Sequence, residues 1–189
     1  YTPIESIGTN LYSNLFLYYN ISMKNSLFKY LNISYLFFLC SILNSNIVLD
    51  ENDVIQTPLP LPYNAEIYNG NDIDAFIKET VEDNKQPILI FGANWCPDCR
   101  IFSGTINIPK INSFIEDNYK ILYIDVLRYE INMDLMKSFG ISVEKGIPRV
   151  LVFDKEKNLL NSSSTLEWTT ARERTSQDIF DYFQKLAIN

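Results

Sequence analysis

Residues 87–103, PILIFGANWCPDCRIFS, decide how this chain is to be read. The first part, Pro87 to Ala93, is short, apolar and bounded by proline and glycine, as a buried strand is. From Pro97 onward the run continues as a helix, because proline suits a first helical position, where an N–H would have no intrahelical partner. Cys96 then falls at a helix N-terminus, where orphan amides and the helix dipole favour a thiolate. Cys99, three residues on, lies one turn below on the same face, placed to resolve a mixed disulfide. Cys96 is therefore the expected nucleophile and Cys99 the expected resolving thiol of a redox pair. Two inert core thiols, or half of a zinc knuckle, are the bland alternatives.

Composition narrows the chemistry around this turn. The 189 residues are 47% hydrophobic and 21% charged, which describes a foldable chain. A net charge of -7 argues against a nucleic-acid partner, since phosphate binding needs clustered Lys and Arg. Histidine is absent, so Ser–His and Cys–His nucleophile pairs are excluded, as is any zinc site built on imidazole. The three cysteines, Cys40, Cys96 and Cys99, cannot supply a four-thiolate zinc site or a disulfide framework. No metal or cofactor is expected.

The first 63 residues read as an address and a tether. Residues 1–22 have no clear period and form an expected upstream extension. From Met23, Lys24 and Lys29 make a basic flank, and Leu31 to Leu43 an apolar stretch too short for a confident membrane span. Residues 23–46 are thus expected to be a secretory signal, with an uncleaved N-terminal membrane anchor as the alternative. Cys40 follows Phe37-Phe38-Leu39, not the small residues that precede a lipidated cysteine. Export is expected, with the periplasm as destination. Residues 47–63 mix acids with Pro58, Pro60 and Pro62 and read as an extended linker.

Residues 64–189 read as one mixed α/β domain. Asp72–Glu82 has helical periodicity, with Ile73, Phe76, Ile77 and Val81 on one side. The helix after the thiol turn is expected to break at Gly104 and Pro109 and to resume towards Tyr119. Lys120–Val126 and Arg149–Phe153 read as further strands, and Asn158–Asn161 as a fourth. Asn132–Phe139 is a short helix closed by Gly140, and Ser176–Leu186 a final one. The thiol turn lies at the C-terminal end of the first clear strand, where open α/β sheets carry their functional loops.

Trp95-Cys96-x-x-Cys99 after an apolar strand, followed some fifty residues later by Gly146-Ile147-Pro148 before another, resembles the thioredoxin superfamily. The likeness covers residues 64–189 and implies a thioredoxin-like fold, a central mixed β-sheet flanked by helices. It also implies a cis Pro148 that, with Ile147, presents backbone to a substrate strand beside the thiols. The interrupted helix and the Tyr-Ile-Asp-Val strand are similar to exported proteins related to the C-terminal domain of the disulfide reductase DsbD. That likeness implies disulfide-containing proteins as partners and a membrane thiol donor of the DsbD type.

Two departures from the family pattern stand out. Ile90 replaces the buried aspartate expected six residues before the first cysteine, which leaves Cys99 without its usual proton acceptor. Pro97-Asp98 replaces Gly-Pro, and a carboxylate beside Cys96 disfavours its thiolate. A less stabilised thiolate makes a more reducing couple, so Asp98 leans the site towards a reductase. A dithiol oxidase, and a non-catalytic binding module or chaperone, are the competing readings. Trp95 is expected as a platform beside the pair, Asp125 as a strand-end carboxylate or a proton relay. Trp168, Arg172 and Arg174 read as a solvated helix start with one packed indole or, alternatively, a substrate edge.

Overall fold

Strand β1 (Gln86–Gly92) is buried at every residue, as its uninterrupted apolar run requires. A computed structural model of the protein describes residues 46–188 and places β1 at the centre of a three-stranded sheet, order β2-β1-β3. Strand β2 (Tyr119–Asp125) runs parallel to β1, from Gln86 opposite Tyr119 to Gly92 opposite Asp125. Strand β3 (Arg149–Val152) runs antiparallel, from Ile88 opposite Val152 to Phe91 opposite Arg149.

Alternation along the strands divides the core into two layers. Ile88, Ile90, Val150 and Val152 face helices α2 (Pro97–Ile106), α3 (Pro109–Asn118) and α4 (Ser176–Leu186), meeting Phe102, Ile111 and Phe180. Leu89, Phe91 and Leu151 face helix α1 (Gly70–Glu82), and this second layer also holds Cys96, Cys99 and Ile147. The result is the expected thioredoxin-like architecture, a mixed sheet between helices.

Helix boundaries follow local chemistry. Asn69 caps α1 in a reciprocal box with Asp72, and Thr175 caps α4 in the same way with Asp178. The segment expected as a helix at Asn132–Phe139 is a 3₁₀ turn, Met133–Phe139, closed by Gly140 at φ 71°.

Two further expectations are corrected. Gly104 does not break α2, which continues to Ile106 before Pro109 opens α3. Instead Gly104 admits a close neighbour: a Cβ there would lie 3.0 Å from Ile55 and 3.1 Å from Leu59. The expected fourth strand at Asn158–Asn161 is reduced to a single bridge, Phe153 with Leu159. The reason is Asn161, whose side chain takes the place of a backbone ladder: it accepts from Val152 N at 2.9 Å and donates to Val150 O at 2.8 Å.

Residues 47–63, read as a linker, have no helix or strand but belong to the same compact unit as the domain. They form a strap. Ile47 exchanges hydrogen bonds with Gln184, and Leu49 N donates to Gln177 at 2.7 Å. Lys110 of α3 holds Asp50 at 2.8 Å and also pairs with Asp53. Arg100 of α2 donates to Leu59 O at 3.4 Å, and Tyr63 ends the strap buried beside the thiols. Prolines keep the strap extended without demanding a partner strand, so side chains of α2, α3 and α4 carry its fixation. The segment expected as a signal or anchor, with the extension before it, lies outside the described residues. Among the described residues no helix is long and apolar enough to cross a membrane.

Candidate active site

The end of β1 and the start of α2 set the two thiols by backbone geometry. Cys96 is extended, at φ -82° and ψ 117°, and is the N-cap of α2, with Pro97 exposed at the first helical position. Its sulfur accepts the Cys99 backbone N–H at 3.2 Å. Its thiol donates to the Ile147 carbonyl at 3.6 Å, across the loop whose Ile147–Pro148 bond is cis. Cys96 retains 4% exposure and Cys99 none, so attack from outside reaches Cys96 first.

The two thiols differ in acidity. The hydrogen bond from the Cys99 thiol draws the Cys96 thiol below its ordinary value, with burial opposing and the Cys99 backbone N–H assisting. Burial pushes the Cys99 thiol far up, and donation to Cys96 adds to that. Cys96 is thus the more acidic of the two thiols, and Cys99 the more reluctant to give up its proton.

Asp98 was expected to oppose the Cys96 thiolate, and its charge does act in that direction. It does so weakly, because the carboxylate is buried and engaged elsewhere. Its Oδ1 accepts the Arg172 backbone N–H at 2.9 Å and the Arg172 Nε at 3.1 Å. Arg172, itself exposed, pairs with Asp98 from a 3₁₀ segment, Glu167–Glu173, packed against α2. Trp168 of the same segment is core, its ring 5.6 Å from Phe102 and 5.1 Å from Tyr182. Arg174 lies over that indole at 5.5 Å.

Trp95 is 46% exposed next to Cys96, anchored by Nε1 donating to Leu127 O at 2.7 Å. Arg128 lies over its ring at 5.6 Å, and Tyr129 meets it edge-on at 6.0 Å. Pro148 is buried with Ile147, so this loop offers its backbone more than its side chains. The surface around Cys96 is thus an aromatic shelf on one side and a backbone edge on the other. Asp125 closes the end of β2, accepting from Leu127 N at 2.7 Å and from Ala65 N at 3.0 Å, as a strand-end carboxylate does.

Ile90 is fully buried in the helix-facing layer, and the group that faces Cys99 is a phenol instead. A Cβ on Gly92 would lie 2.2 Å from the Tyr63 hydroxyl and 3.0 Å from the Cys99 sulfur, so both converge on that glycine. Tyr63 and Arg172 join the site from 33 or more residues away, and no local pattern marks either. Among the described residues no cluster of His, Cys, Asp and Glu has the arrangement of a metal site.

The family model described as Thioredoxin matches residues 64–164. The chain belongs to the thioredoxin family. A thioredoxin from Rickettsia bellii is 27% identical over 106 residues, covering 52% of this chain and 93% of that protein. The crystal structure of a disulphide isomerase from Xylella fastidiosa has 28% identity and a TM-score of 0.60, covering 67% of this chain and 97% of that one. The C-terminal domain of DsbD from Neisseria meningitidis, in its oxidised form, has 18% identity and a TM-score of 0.43, covering 65% of this chain and 99% of that one. In this thioredoxin-family chain the part that the family model spans begins just after the strap, and it contains both thiols and the Ile147-Pro148 loop.

Proposed function

We propose that the chain is a thiol-disulfide oxidoreductase that reduces disulfides in proteins. The observation that carries this reading is the unequal thiol pair: Cys96 at the α2 N-terminus, accepting the Cys99 N–H at 3.2 Å, with Cys99 sealed beneath it. The Cys96 thiolate attacks a substrate disulfide, and the first substrate thiol departs. The substrate remains joined to Cys96, lying along the Ile147-Pro148 backbone and beside Trp95. Cys99 then attacks Cys96, releasing the second substrate thiol and leaving a Cys96–Cys99 disulfide. The relatives named thioredoxin and disulphide isomerase support the reaction class.

Asp98 supports the reducing direction: its charge, weakened by pairing with Arg172, disfavours the Cys96 thiolate against the Cys99 hydrogen bonds that favour it. The proposed setting is outside the cytoplasmic membrane, in the periplasm, on the strength of residues 23–46 as a signal or an anchor. There a membrane thiol donor of the DsbD type would return the protein to its dithiol form.

Insulin reduction tests the chemistry. The protein should precipitate the insulin B chain with dithiothreitol as electron source, and Cys96→Ser should abolish this, whereas turnover that survives Cys96→Ser would overturn the mechanism. Direction is read from the equilibrium potential of the pair. A value near that of thioredoxin, about -270 mV, fits a reductase, and one near that of DsbA, about -120 mV, would make the protein an oxidase.

A further inference from the structure

Tyr63 is a buried polar side chain at the thiols that the exchange above does not use. Its hydroxyl is enclosed and has no conventional hydrogen-bond partner, a costly arrangement for a polar group. Its direction is fixed from three sides. Asn94, two residues before Cys96, clamps the Tyr63 backbone, accepting from its N–H at 3.2 Å and donating to its carbonyl at 2.6 Å. Tyr123 of β2 meets its ring edge-on, with centroids 5.6 Å apart and planes at 87°. Gly92 leaves the space in which the phenol oxygen and the Cys99 sulfur face each other, 2.2 Å and 3.0 Å from where a side chain would begin.

We propose that the Tyr63 hydroxyl is the hydrogen-bond donor that steadies Cys99 as a thiolate during the resolving step. This rests on the disulfide-exchange reading above. In that step the proton of the Cys99 thiol passes on to the departing substrate sulfur, and the Cys99 electron pair forms the bond to the Cys96 sulfur. The bond between Cys96 and the substrate sulfur breaks, and its pair leaves on that sulfur. No outside oxidant or reductant enters, since the substrate disulfide gains the two electrons that the Cys96–Cys99 pair loses.

Tyr63 stays neutral throughout. Burial, and next to it the negative charge that Cys99 can carry, hold its hydroxyl well above the ordinary phenol value, so it donates without ionising. The ionisable groups around the pair are few: Cys96 from the head of α2, Tyr123 from β2, and Tyr129 from the loop after β2. Asp98 is engaged by Arg172. A donor to a thiolate serves here where Ile90 offers nothing polar, and it arrives on the strap, not on the strand.

Ellman's reagent separates the two thiol reactions in the full chain, with Cys40→Ser in every variant so that only this pair reports. The first release of thionitrobenzoate follows Cys96 attack, and the second follows Cys99 attack on the mixed disulfide. Tyr63→Phe removes only the hydroxyl. It should leave the first phase and its pH profile unchanged, slow the second about 10- to 100-fold, as for loss of a hydrogen bond to a charged group, and move the second phase's pH profile upward. A second phase with unchanged rate and pH profile overturns the proposal. Should Tyr63→Phe fail to fold, a fluorinated, more acidic tyrosine placed at 63 must accelerate the second phase, and no acceleration overturns it equally. Insulin turnover that survives Cys96→Ser would strike the exchange reading itself, while the two phases still report on Tyr63.

Discussion

Gly92→Ala offers a strict test of how the strap is built into the site. Gly92 ends β1 with an ordinary negative-φ strand backbone, so alanine meets no conformational penalty there, and the cost is steric alone. The added methyl would sit 2.2 Å from the Tyr63 hydroxyl and 2.5 Å from its ring carbon, where carbon contacts prefer about 3.5–4.0 Å. The phenol must retreat by more than an ångström, yet Asn94 holds its backbone from both sides. Overpacking of this kind costs about 1–3 kcal/mol. At about 2–4 °C per kcal/mol for a domain of this size, the melting temperature should fall by about 2–12 °C.

The decisive measurement is a double-mutant cycle by urea denaturation with Tyr63→Ala. Tyr63→Ala alone should destabilise by about 3–5 kcal/mol, as loss of a buried aromatic does. In that background most of the Gly92→Ala cost should vanish, because the methyl enters the space the ring has left and only the 3.0 Å contact with the Cys99 sulfur remains. A Gly92→Ala penalty of the same size in both backgrounds would refute the packing of Tyr63 over Gly92.

Other expectations concern the charges and the core. Alkylation of Cys96 by iodoacetamide should show a thiol that titrates below the ordinary cysteine range; Asp98→Asn should shift the inflection further down, and Arg172→Ala, by freeing the Asp98 charge, should shift it up. The opposite order of shifts would remove Asp98 from any part in setting the potential. Cys99 has its folded-state pKa raised, so reduced protein keeps that contribution below the ordinary thiol range and loses it as pH rises. Denaturant midpoints should therefore fall between about pH 9 and 10, before unfolded-state tyrosines ionise, and Cys99→Ala should flatten this fall. Asn161→Ala leaves the Val152 N–H and Val150 carbonyl without their partner and should cost about 2–4 kcal/mol by chemical denaturation, whereas a loss under 0.5 kcal/mol would mean that β3 has no need of this side chain.

The sequence by itself determined the strand–turn–helix unit and what it carries. Its strand is apolar from Pro87 to Gly92 because helices cover both faces, and Pro97 starts the helix where the chain turns out of that strand. Those are local rules, so the placement of Cys96 above Cys99 was legible before any tertiary contact. The 3.6-residue periods of α1 and α4 were equally legible, with Ile73, Ile77, Phe180 and Phe183 turned to the core.

Only the tertiary structure decided what surrounds the thiols. Asp98 could face solvent or protein, and it faces Arg172, which lies 74 positions away in sequence. The proline-rich strap has no period to read, yet ties of 60 to 137 positions to Lys110, Gln177 and Gln184 bind it to the helices. The phenol that faces Cys99 rides on that strap, and the glycine that admits it looks like any glycine at a strand end. Local sequence fixes backbone conformation through sterics and unpaired amides, but which side chains meet across the core depends on how whole elements pack, and that is not written at any one position.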